Sequence, residues 1–281
     1  MSVKFQKIGN RSLVGIGVVA AVGLSIELGP WAVFGLFGLV AAVELYEVCA
    51  LFERGGHAVK PWAVYGMGYA LYAGCGMIWL EVMEAYVSVM AAMAGLSGVA
   101  VGWVQVRRQG RTRPDAASAL SAAGLLWSLW AAVYVALPLA LLVWLRRADL
   151  MWPLFLTVWA NDVFAYLAGS SFKAEKRHKL APHISPNKSW EGAVGGFCAA
   201  LAAGWLWALG NGLPAAGMLA FAAVVSGVSV LGDLLESYYK RKAGLKDSGT
   251  LLGGHGGVLD RFDSVLLASP AAVLLLILSG I

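Results

Sequence analysis

The sequence has little charge. Only 13% of its 281 residues are Asp, Glu, Lys or Arg, whereas 59% are hydrophobic and the mean hydropathy is +0.72. A soluble domain carries about 25% charged residues, so this composition excludes an ordinary water-exposed globule. Cysteine is scarce too. Cys49, Cys75 and Cys198 show neither paired nor metal-ligand spacing, which argues against a disulfide framework, a redox role and a zinc site.

Long apolar runs recur along the whole chain, and each is about the 20 residues that a helix needs to cross a bilayer. The sequence therefore predicts an all-α, polytopic integral membrane protein with about nine transmembrane helices. We expect one membrane domain over 1–281, with N-terminal helices in 1–145 and C-terminal helices in 146–281. The predicted spans are 12–28, 31–52, 62–80, 82–105, 118–140, 150–169, 190–209, 214–235 and 264–281.

The basic residues predict the orientation of these spans. If the N-terminus is cytoplasmic, 19 of the 21 Lys and Arg residues fall in cytoplasmic segments, and only Arg146 and Arg147 do not. This distribution is what the positive-inside rule predicts. The net charge of +5 is then explained by topology, and we expect no nucleic-acid partner. The cytoplasmic segments are 1–11, 53–61, 106–117, 170–189 and 236–263.

Acidic residues within or beside the spans need a reason, because a charge in hydrocarbon is costly. Two pairs, Glu44/Glu47 and Glu81/Glu84, have the i,i+3 spacing that puts both carboxylates on one helix face. Interfacial placement, a buried hydrogen bond and a functional role are all open for these four. The full set is Glu44, Glu47, Glu81, Glu84, Asp162, Glu191, Asp233 and Glu236.

A polar segment, KRKAGLKDSGTLLGGHGGVLDRFD over 240–263, separates the last two spans. Asp260 and Asp263 have i,i+3 spacing at its end, as Asp233 and Glu236 do just before it. Carboxylates on neighbouring helix ends suit Mg²⁺, which prefers oxygen ligands. The interleaved bases suit a polyphosphate, since Mg²⁺ bridges carboxylate to phosphate while Lys and Arg neutralise the outer oxygens. These bases are Lys240, Arg241, Lys242, Lys246 and Arg261.

The glycines of GGHGG, residues 253–257, fit the same interpretation. Small residues let backbone N–H groups approach phosphate oxygens, and His255 could donate to a phosphate or shuttle a proton. A glycine-rich cytoplasmic turn that only joins two helices is the alternative. The combination of spaced aspartates, bases and glycines favours a polyphosphate site.

A second polar segment lies over 161–192. Asn187 or Ser189 could cap the helix that follows, and Glu191 would lie in its first turn, where the helix dipole favours acids. Capping would account for Ser189 and Glu191 without a functional role. It leaves Asp162 and Lys188 unexplained, and a helix N-terminus beside a lysine is also a good anion site.

These two segments resemble the CDP-diacylglycerol synthases, also called phosphatidate cytidylyltransferases. The C-terminal signature of that family reads here SYYKRKAGLKDSGTLLGGHGGVLDRFD, from Ser237 onward, and follows the LGD that ends at Asp233. Upstream, HKLAPHISPNKSWEGAVGG over 178–196 and the Asp162-x-x-Ala-Tyr pattern are also similar. The resemblance covers about 160–263.

Some positions depart from the family pattern. Tyr239 replaces an aliphatic residue, Met or Phe, and Val163 and Phe164 replace a Thr/Ser-Gly pair. The segment GSSFKAEKRHKL, 169–180, is longer than usual and has Ser170 at a basic position. These departures affect the expected phosphate or lipid contacts around 163–177.

The resemblance implies a reaction. CTP and phosphatidic acid would give CDP-diacylglycerol and pyrophosphate, by Mg²⁺-assisted in-line attack of the lipid phosphate on the α-phosphorus of CTP. The reaction would occur at the cytoplasmic face of the inner membrane, in a homodimer. The implied metal ligands are Asp233, Asp260 and Asp263, with a second cation such as K⁺ as a further option.

The resemblance also implies roles for individual residues. Asp247 would be a further ligand or a partner of Lys246. The expected catalytic residues are Asp233, Lys246, Asp247, Asp260 and Asp263. The expected substrate-binding residues are Asp162, Lys188, Ser189, Glu191, Lys240, Arg241, His255, Gly256, Gly257 and Arg261.

Three other functions fit parts of the pattern. A CTP-dependent polyprenol or diacylglycerol kinase would release CDP in place of pyrophosphate. A transporter would also carry acids in its spans, although these acids cluster at the cytoplasmic ends and no pair of broken helices indicates a midplane site. A structural scaffold would tolerate Asp260→Asn.

Overall fold

The computed structural model of the chain describes residues 2–80, 122–172, 178–252 and 256–279. These residues form eight helices and one two-stranded antiparallel sheet. In chain order the elements are α1 (Ser2–Leu28), α2 (Pro30–Arg54), α3 (Pro61–Trp79), α4 (Ala122–Arg147), α5 (Met151–Ser171), β1 (Lys179–Ala181), β2 (Ser185–Ser189), α6 (Trp190–Asn211), α7 (Ala215–Lys242) and α8 (Leu259–Ser279).

The eight helices overlap eight of the nine predicted spans, and α1, α4 and α7 each extend seven to ten residues beyond the predicted span at one end. The ninth, 82–105, lies outside the described residues, so the count of nine is not confirmed. Five of the described helices are long and apolar enough to cross a bilayer, namely α2, α4, α6, α7 and α8. The protein is therefore a predominantly α-helical membrane protein, as the composition predicts.

The chain folds into two compact units. The first contains Met1–Arg147 and Lys242–Arg261, and the second contains Ala148–Arg241 and Phe262–Ile281. The connection between α7 and α8, residues 243–258, is called the signature loop below, and it folds with the N-terminal helices. The interpretation of the whole chain as one membrane domain stays a prediction.

The core of the first unit lies where α2 packs on α3 and α4. Val33, Phe37 and Ala41 recur at four-residue spacing on α2 and are fully buried, as expected for one face of a helix. Gly68 of α3 lies against Leu45, with no room for a Cβ between them. Close approach at small residues is how membrane helices gain packing contacts.

The C-terminal end of α4 explains the two arginines that depart from the positive-inside pattern. Arg146 donates its Nε–H to the carbonyl of Ile26 in the last turn of α1, at 2.6 Å. Arg147 donates to the carbonyl of Trp79 at the end of α3, also at 2.6 Å. The last carbonyls of a helix have no intrahelical partner and carry the negative end of its dipole. The two arginines thus cap neighbouring helices.

The second unit contains a close contact between α5 and α6. Gly192 and Gly196 lie directly against the backbone carbonyls of Ala165 and Asn161, where a Cβ would have no space. The glycines of the WEGAVGG segment therefore allow two helix backbones to touch.

The sheet is a short hairpin that leads into α6 and was not predicted. Lys179 of β1 pairs with Ser189 of β2, and the Trp190 N–H donates to the carbonyl of His178 at 2.9 Å. Of the two predicted capping residues, Ser189 is the N-cap, since its hydroxyl accepts from the Gly192 N–H at 3.1 Å. The hairpin thus fixes where the residues before α6 lie.

Candidate active site

Three aspartates of the second unit form an acidic cluster, defined here as Asp162 of α5, Asp233 of α7 and Asp263 of α8. The charges of Asp162 and Asp263 each interact with Asp233, and also with each other. Asp162 lies within the predicted span 150–169, Asp233 near the end of 214–235 and Asp263 directly before 264–281. The structure brings together residues that are up to 101 positions apart in the chain. Like charges that interact in this way repel each other, and a bound cation would relieve that repulsion.

Lys188 reaches the acidic cluster from strand β2. Its Nζ lies 2.7 Å from Oδ2 of Asp233, and the two side chains are 24% and 32% exposed. The other carboxylate oxygen of Asp233, Oδ1, accepts from the Ser237 hydroxyl one turn later, at 3.2 Å. The hairpin therefore places a cationic side chain beside Asp233, a contact that capping alone does not explain.

A second lysine, Lys240, is buried near the cluster. It pairs with Glu236 one turn earlier on α7, at 2.5 Å, and its charge also acts on Asp263. Four carboxyl groups, those of the cluster and Glu236, thus lie near the ammonium groups of Lys188 and Lys240. The arrangement places two lysines among four carboxyl groups, which suits a metal ion together with the phosphate groups it binds.

A polar network inside the helices holds Asp162. The Ser226 hydroxyl of α7 donates to Oδ1 of Asn161 at 2.8 Å. The Asn161 amide lies 3.4 Å both from Oδ1 of Asp162 and from the Ser229 hydroxyl. Asn161 is 1% exposed, and a buried amide needs such partners. Sequence reasoning missed this residue, although the two serines in the apolar run of α7 are a signal for it.

In the first unit, the signature loop closes on Asp260. Oδ2 of Asp260 accepts from the backbone N–H of Ser248 at 2.9 Å and from the Gly257 N–H at 2.7 Å. It also lies 3.1 Å from the Ser248 hydroxyl oxygen, whose single hydrogen has a second carboxylate oxygen, Oε2 of Glu47, at 3.0 Å. Lys246, Asp247 and Arg261 are exposed. The structure thus supports a loop-bracing role for Asp260, and its role as a metal ligand stays a prediction.

The glycines at the end of the loop lie against carboxylates. A Cβ at Gly256, which has φ +81°, would overlap the carboxylate of Asp260, and one at Gly257 would overlap Ser248 and Glu47. The Gly257 N–H is used by Asp260. The phosphate cradle predicted for His255, Gly256 and Gly257 stays a prediction, and His255 lies outside the described residues, as do Glu81 and Glu84.

Two residues predicted to bind substrate contact the hairpin. Glu191 accepts from the N–H of His178 at 3.1 Å and pairs with Nδ1 of its ring at 2.7 Å. Arg241 donates its Nε–H to the carbonyl of Ile184 at 3.1 Å. Both side chains therefore brace the element that carries Lys188, and a role in substrate binding stays a prediction for them.

Within the described ranges, no three Asp, Glu, His or Cys side chains lie close enough to surround one metal ion. A protein cage for a metal is therefore not preformed there.

Comparison with known protein families shows which family the chain belongs to. The model of the cytidylyltransferase family matches residues 9–279, almost the whole chain. The chain belongs to the cytidylyltransferase family. Both the acidic cluster and the signature loop lie inside the matched region, so this family membership applies to both units.

This member of the cytidylyltransferase family is also similar to individual curated proteins. It is 49% identical over 117 residues to a phosphatidate cytidylyltransferase of Brucella abortus, which is 41% of this chain and 42% of that protein. It is 43% identical over 122 residues to one of Haemophilus influenzae, 41% of each chain. It is 40% identical over 140 residues to one of Pseudomonas aeruginosa, 49% of this chain and 51% of that protein.

These alignments cover only about two fifths to one half of each relative's length. The family model, in contrast, includes the N-terminal helices. What this member of the family does as a whole protein is therefore a proposal.

Proposed function

We propose that the protein is a phosphatidate cytidylyltransferase. It would transfer the cytidylyl group of CTP to phosphatidic acid, forming CDP-diacylglycerol and releasing pyrophosphate. The family membership and the names of the relatives, phosphatidate cytidylyltransferases, support this reaction. The structural observation that carries the proposal is the acidic cluster with Lys188 paired to Asp233. The reaction requires carboxylates that bind a metal ion, and next to them a positively charged side chain that neutralises the phosphate groups.

The donor set of the acidic cluster fits Mg²⁺. Carboxylate oxygens are ligands that Mg²⁺ prefers, and it is usually held by one or two carboxylates plus substrate phosphates rather than by a closed protein cage. The lack of a three-ligand cage among the described residues is compatible with this mode. We assign Asp233 and Asp263 as the residues that would hold the ion, with Asp260 as a predicted third ligand and K⁺ as an optional second cation. When bound, the ion would neutralise phosphate charge and orient the α-phosphorus.

The reaction itself needs positioning more than acid–base chemistry. An oxygen of the lipid phosphate forms a bond to the α-phosphorus of CTP while the bond from that phosphorus to the bridging oxygen of the β-phosphate breaks, and pyrophosphate leaves. A phosphate monoester is largely dianionic at neutral pH, so no strong general base is required. Lys188 and Lys240 would neutralise charge where these anions meet, while Asn161 keeps Asp162 in place.

We assign the signature loop to the triphosphate. Lys246 on the loop and Arg261 in the first turn of α8 are exposed cations, and a flexible ammonium or a planar guanidinium can each bind phosphate oxygens. Lys240 and Arg241 precede the loop in the chain, and both its ends continue into the helices that carry Asp233 and Asp263. Asp247, His255, Gly256 and Gly257 complete the proposed nucleotide-binding set, with Ser189 and Glu191 supporting Lys188.

We further propose that the site faces the cytoplasm, at the inner membrane, and that the protein is a homodimer. The charge distribution of the sequence supports the orientation, and the family resemblance is the basis for the dimer. Labelling of single-cysteine variants from either side of sealed vesicles tests the first statement. Mass photometry in detergent tests the second.

The decisive experiment follows both products of one reaction. Purified protein in detergent receives phosphatidic acid, CTP and Mg²⁺, and pyrophosphate and CDP-lipid are measured together, with and without EDTA. Asp263→Asn is compared with the wild type. We expect pyrophosphate and CDP-lipid in equal amounts from the wild type, and neither from the variant or in EDTA.

Release of CDP without CDP-lipid would replace this proposal with a CTP-dependent lipid kinase. The absence of turnover from folded protein with any nucleotide would refute the enzymatic proposal, and nucleotide-independent flux through liposomes would then indicate a transporter.

A further inference from the structure

Glu47 of α2 joins the N-terminal helices to the signature loop. Its side chain is buried, at 3% exposure. Oε1 accepts from the backbone N–H of Val258 at 3.1 Å, and Oε2 accepts from the N–H of Leu259 at 2.8 Å. Oε2 also accepts from the Ser248 hydroxyl at 3.0 Å. One carboxylate thus contacts both ends of an eleven-residue section of chain, 248–258, and the residue after it.

The position of Glu47 suits a negative charge. Leu259 is the first residue of α8, and the first N–H groups of a helix have no intrahelical partners and form the positive end of its dipole. Here a side chain from a different helix satisfies those donors. Glu47 therefore caps the N-terminus of α8.

The loop has glycine where it passes the Glu47 side chain. A Cβ at Gly249 or at Gly257 would overlap the Glu47 carboxylate. Glycine at these two positions lets the backbone close around the acid from two sides. The packing of the Glu47 side chain therefore explains why these two positions are glycine.

Asp260 completes the closure. Its Oδ2 accepts from the N–H groups of Ser248 and Gly257, so Ser248 is bound by two carboxylates and the loop is closed upon itself. Lys246 and Asp247 directly precede Ser248. Because Ser248 is held in place, the positions that these two residues can occupy are limited.

We propose that Glu47 is a positioning residue for nucleotide binding, which holds the signature loop closed so that its phosphate-binding groups are presented in one arrangement. This inference rests on the proposed function for the identity of the nucleotide, CTP. The closure of the loop by Glu47 does not depend on it, and the first test below therefore uses the protein without substrates.

Hydrogen exchange of the substrate-free protein in detergent tests the closure. Glu47→Gln keeps the size of the side chain but puts an NH₂ group where an N–H donor needs an acceptor. Because a hydrogen bond to a charged group contributes about 1.5–3 kcal/mol, we expect exchange over 248–259 to be about ten- to a hundredfold faster. Exchange in α3 should be unchanged. Unchanged exchange in the loop, or an equal increase in α3, would overturn the inference.

Steady-state kinetics test the positioning role. We expect Glu47→Gln to raise the KM for CTP about tenfold or more while the KM for phosphatidic acid stays within about twofold, since only the loop loses its support. A fall in kcat with both KM values unchanged would indicate a general loss of folded enzyme and would overturn the role. If the wild type has no cytidylyltransferase activity, the proposed function fails, and the exchange experiment still decides the loop closure.

Glycine variants provide a test if Glu47→Gln does not fold. Gly249→Ala should increase loop exchange, whereas Gly66→Ala on α3, where a Cβ meets open space, should leave it unchanged. The shorter acid of Glu47→Asp makes room for the added methyl group. The two effects should therefore be non-additive in the double variant, and strict additivity would show that Gly249 and Glu47 do not act on one contact.

Discussion

Replacement of Lys188 by Met separates a catalytic role of the Lys188–Asp233 pair from a structural one. Met keeps most of the length and the apolar stem of lysine but removes the charge. The lost interaction is the 2.7 Å ion pair with Asp233. If the proposed function is correct, the cation that neutralises the reacting phosphates is lost as well.

The two roles predict different magnitudes. A pair that is one quarter to one third exposed contributes about 1 kcal/mol or less to stability, because solvent screens it. For a chain of this size that loss lowers Tm by roughly 2–4 °C at most. The loss of one preorganised contact to a developing charge lowers kcat by about 100- to 1,000-fold. Activity should thus fall far more than stability.

The assay measures kcat/KM from pyrophosphate release and Tm in the same detergent. Lys179→Met is the matched control, since Lys179 lies in the same hairpin and its Nζ donates to the carbonyl of Pro186. We expect kcat/KM of the control to stay within about threefold of the wild-type value. This change is much smaller than the decrease predicted for Lys188→Met. If Lys188→Met also keeps its activity, the ion pair is structural and the assignment of Lys188 to a phosphate is wrong.

Three further predictions concern stability. Ser189→Ala removes the N-cap of α6 and should cost about 1 kcal/mol, seen as a lower Tm; an unchanged Tm would mean that the hairpin alone fixes the helix start. Gly196→Ala should cost about 1–3 kcal/mol, because its Cβ would overlap α5, whereas Gly210→Ala on the same helix meets open space and should not destabilise. Burial, and then the positive charge of Lys242, lowers the pKa of His57. The unfolded chain therefore takes up a proton more readily, and stability present above pH 6.5 is lost as the pH falls below it; His57→Gln should flatten this slope, and a slope that persists would contradict the assignment.

The apolar runs predicted most of the helices, because burial in a bilayer leaves a local signal about 20 residues long. The approach of Asp162, Asp233 and Asp263 was also predictable in outline, since Asp162 and Asp233 lie in the predicted cytoplasmic halves of their spans and Asp263 directly precedes the last span on the same side. The hairpin was missed because its strands are three and five residues long and depend on contacts with His178 and Trp190. Such short polar strands carry no usable alternation of hydrophobicity.

The role of Glu47 could not be derived from the sequence. The pattern around it allowed interfacial placement, a buried hydrogen bond or a function, and the structure confirms the buried hydrogen bond. Its partners lie 201 to 212 residues further along the chain. Contacts over that distance leave no trace in local spacing. Of the two glycines that accommodate Glu47, Gly257 belongs to the GGHGG segment that the sequence pattern assigns to phosphate binding, and Gly249 carries no signal of its own.

The discontinuous first unit has a consequence for synthesis. The chain is made from its N-terminus, so Glu47 is in place well before Ser248, Val258 and Leu259 exist. During that interval the nascent protein carries a carboxylate whose three donors have not yet been made. In a copy truncated before residue 248, Glu47 would never obtain these three hydrogen-bond donors. Such a copy would therefore differ from a full-length copy in the environment of Glu47, far from the truncation itself. We expect membrane proteases to remove such truncated chains faster than the full-length protein, and faster than truncated chains that also carry Glu47→Leu.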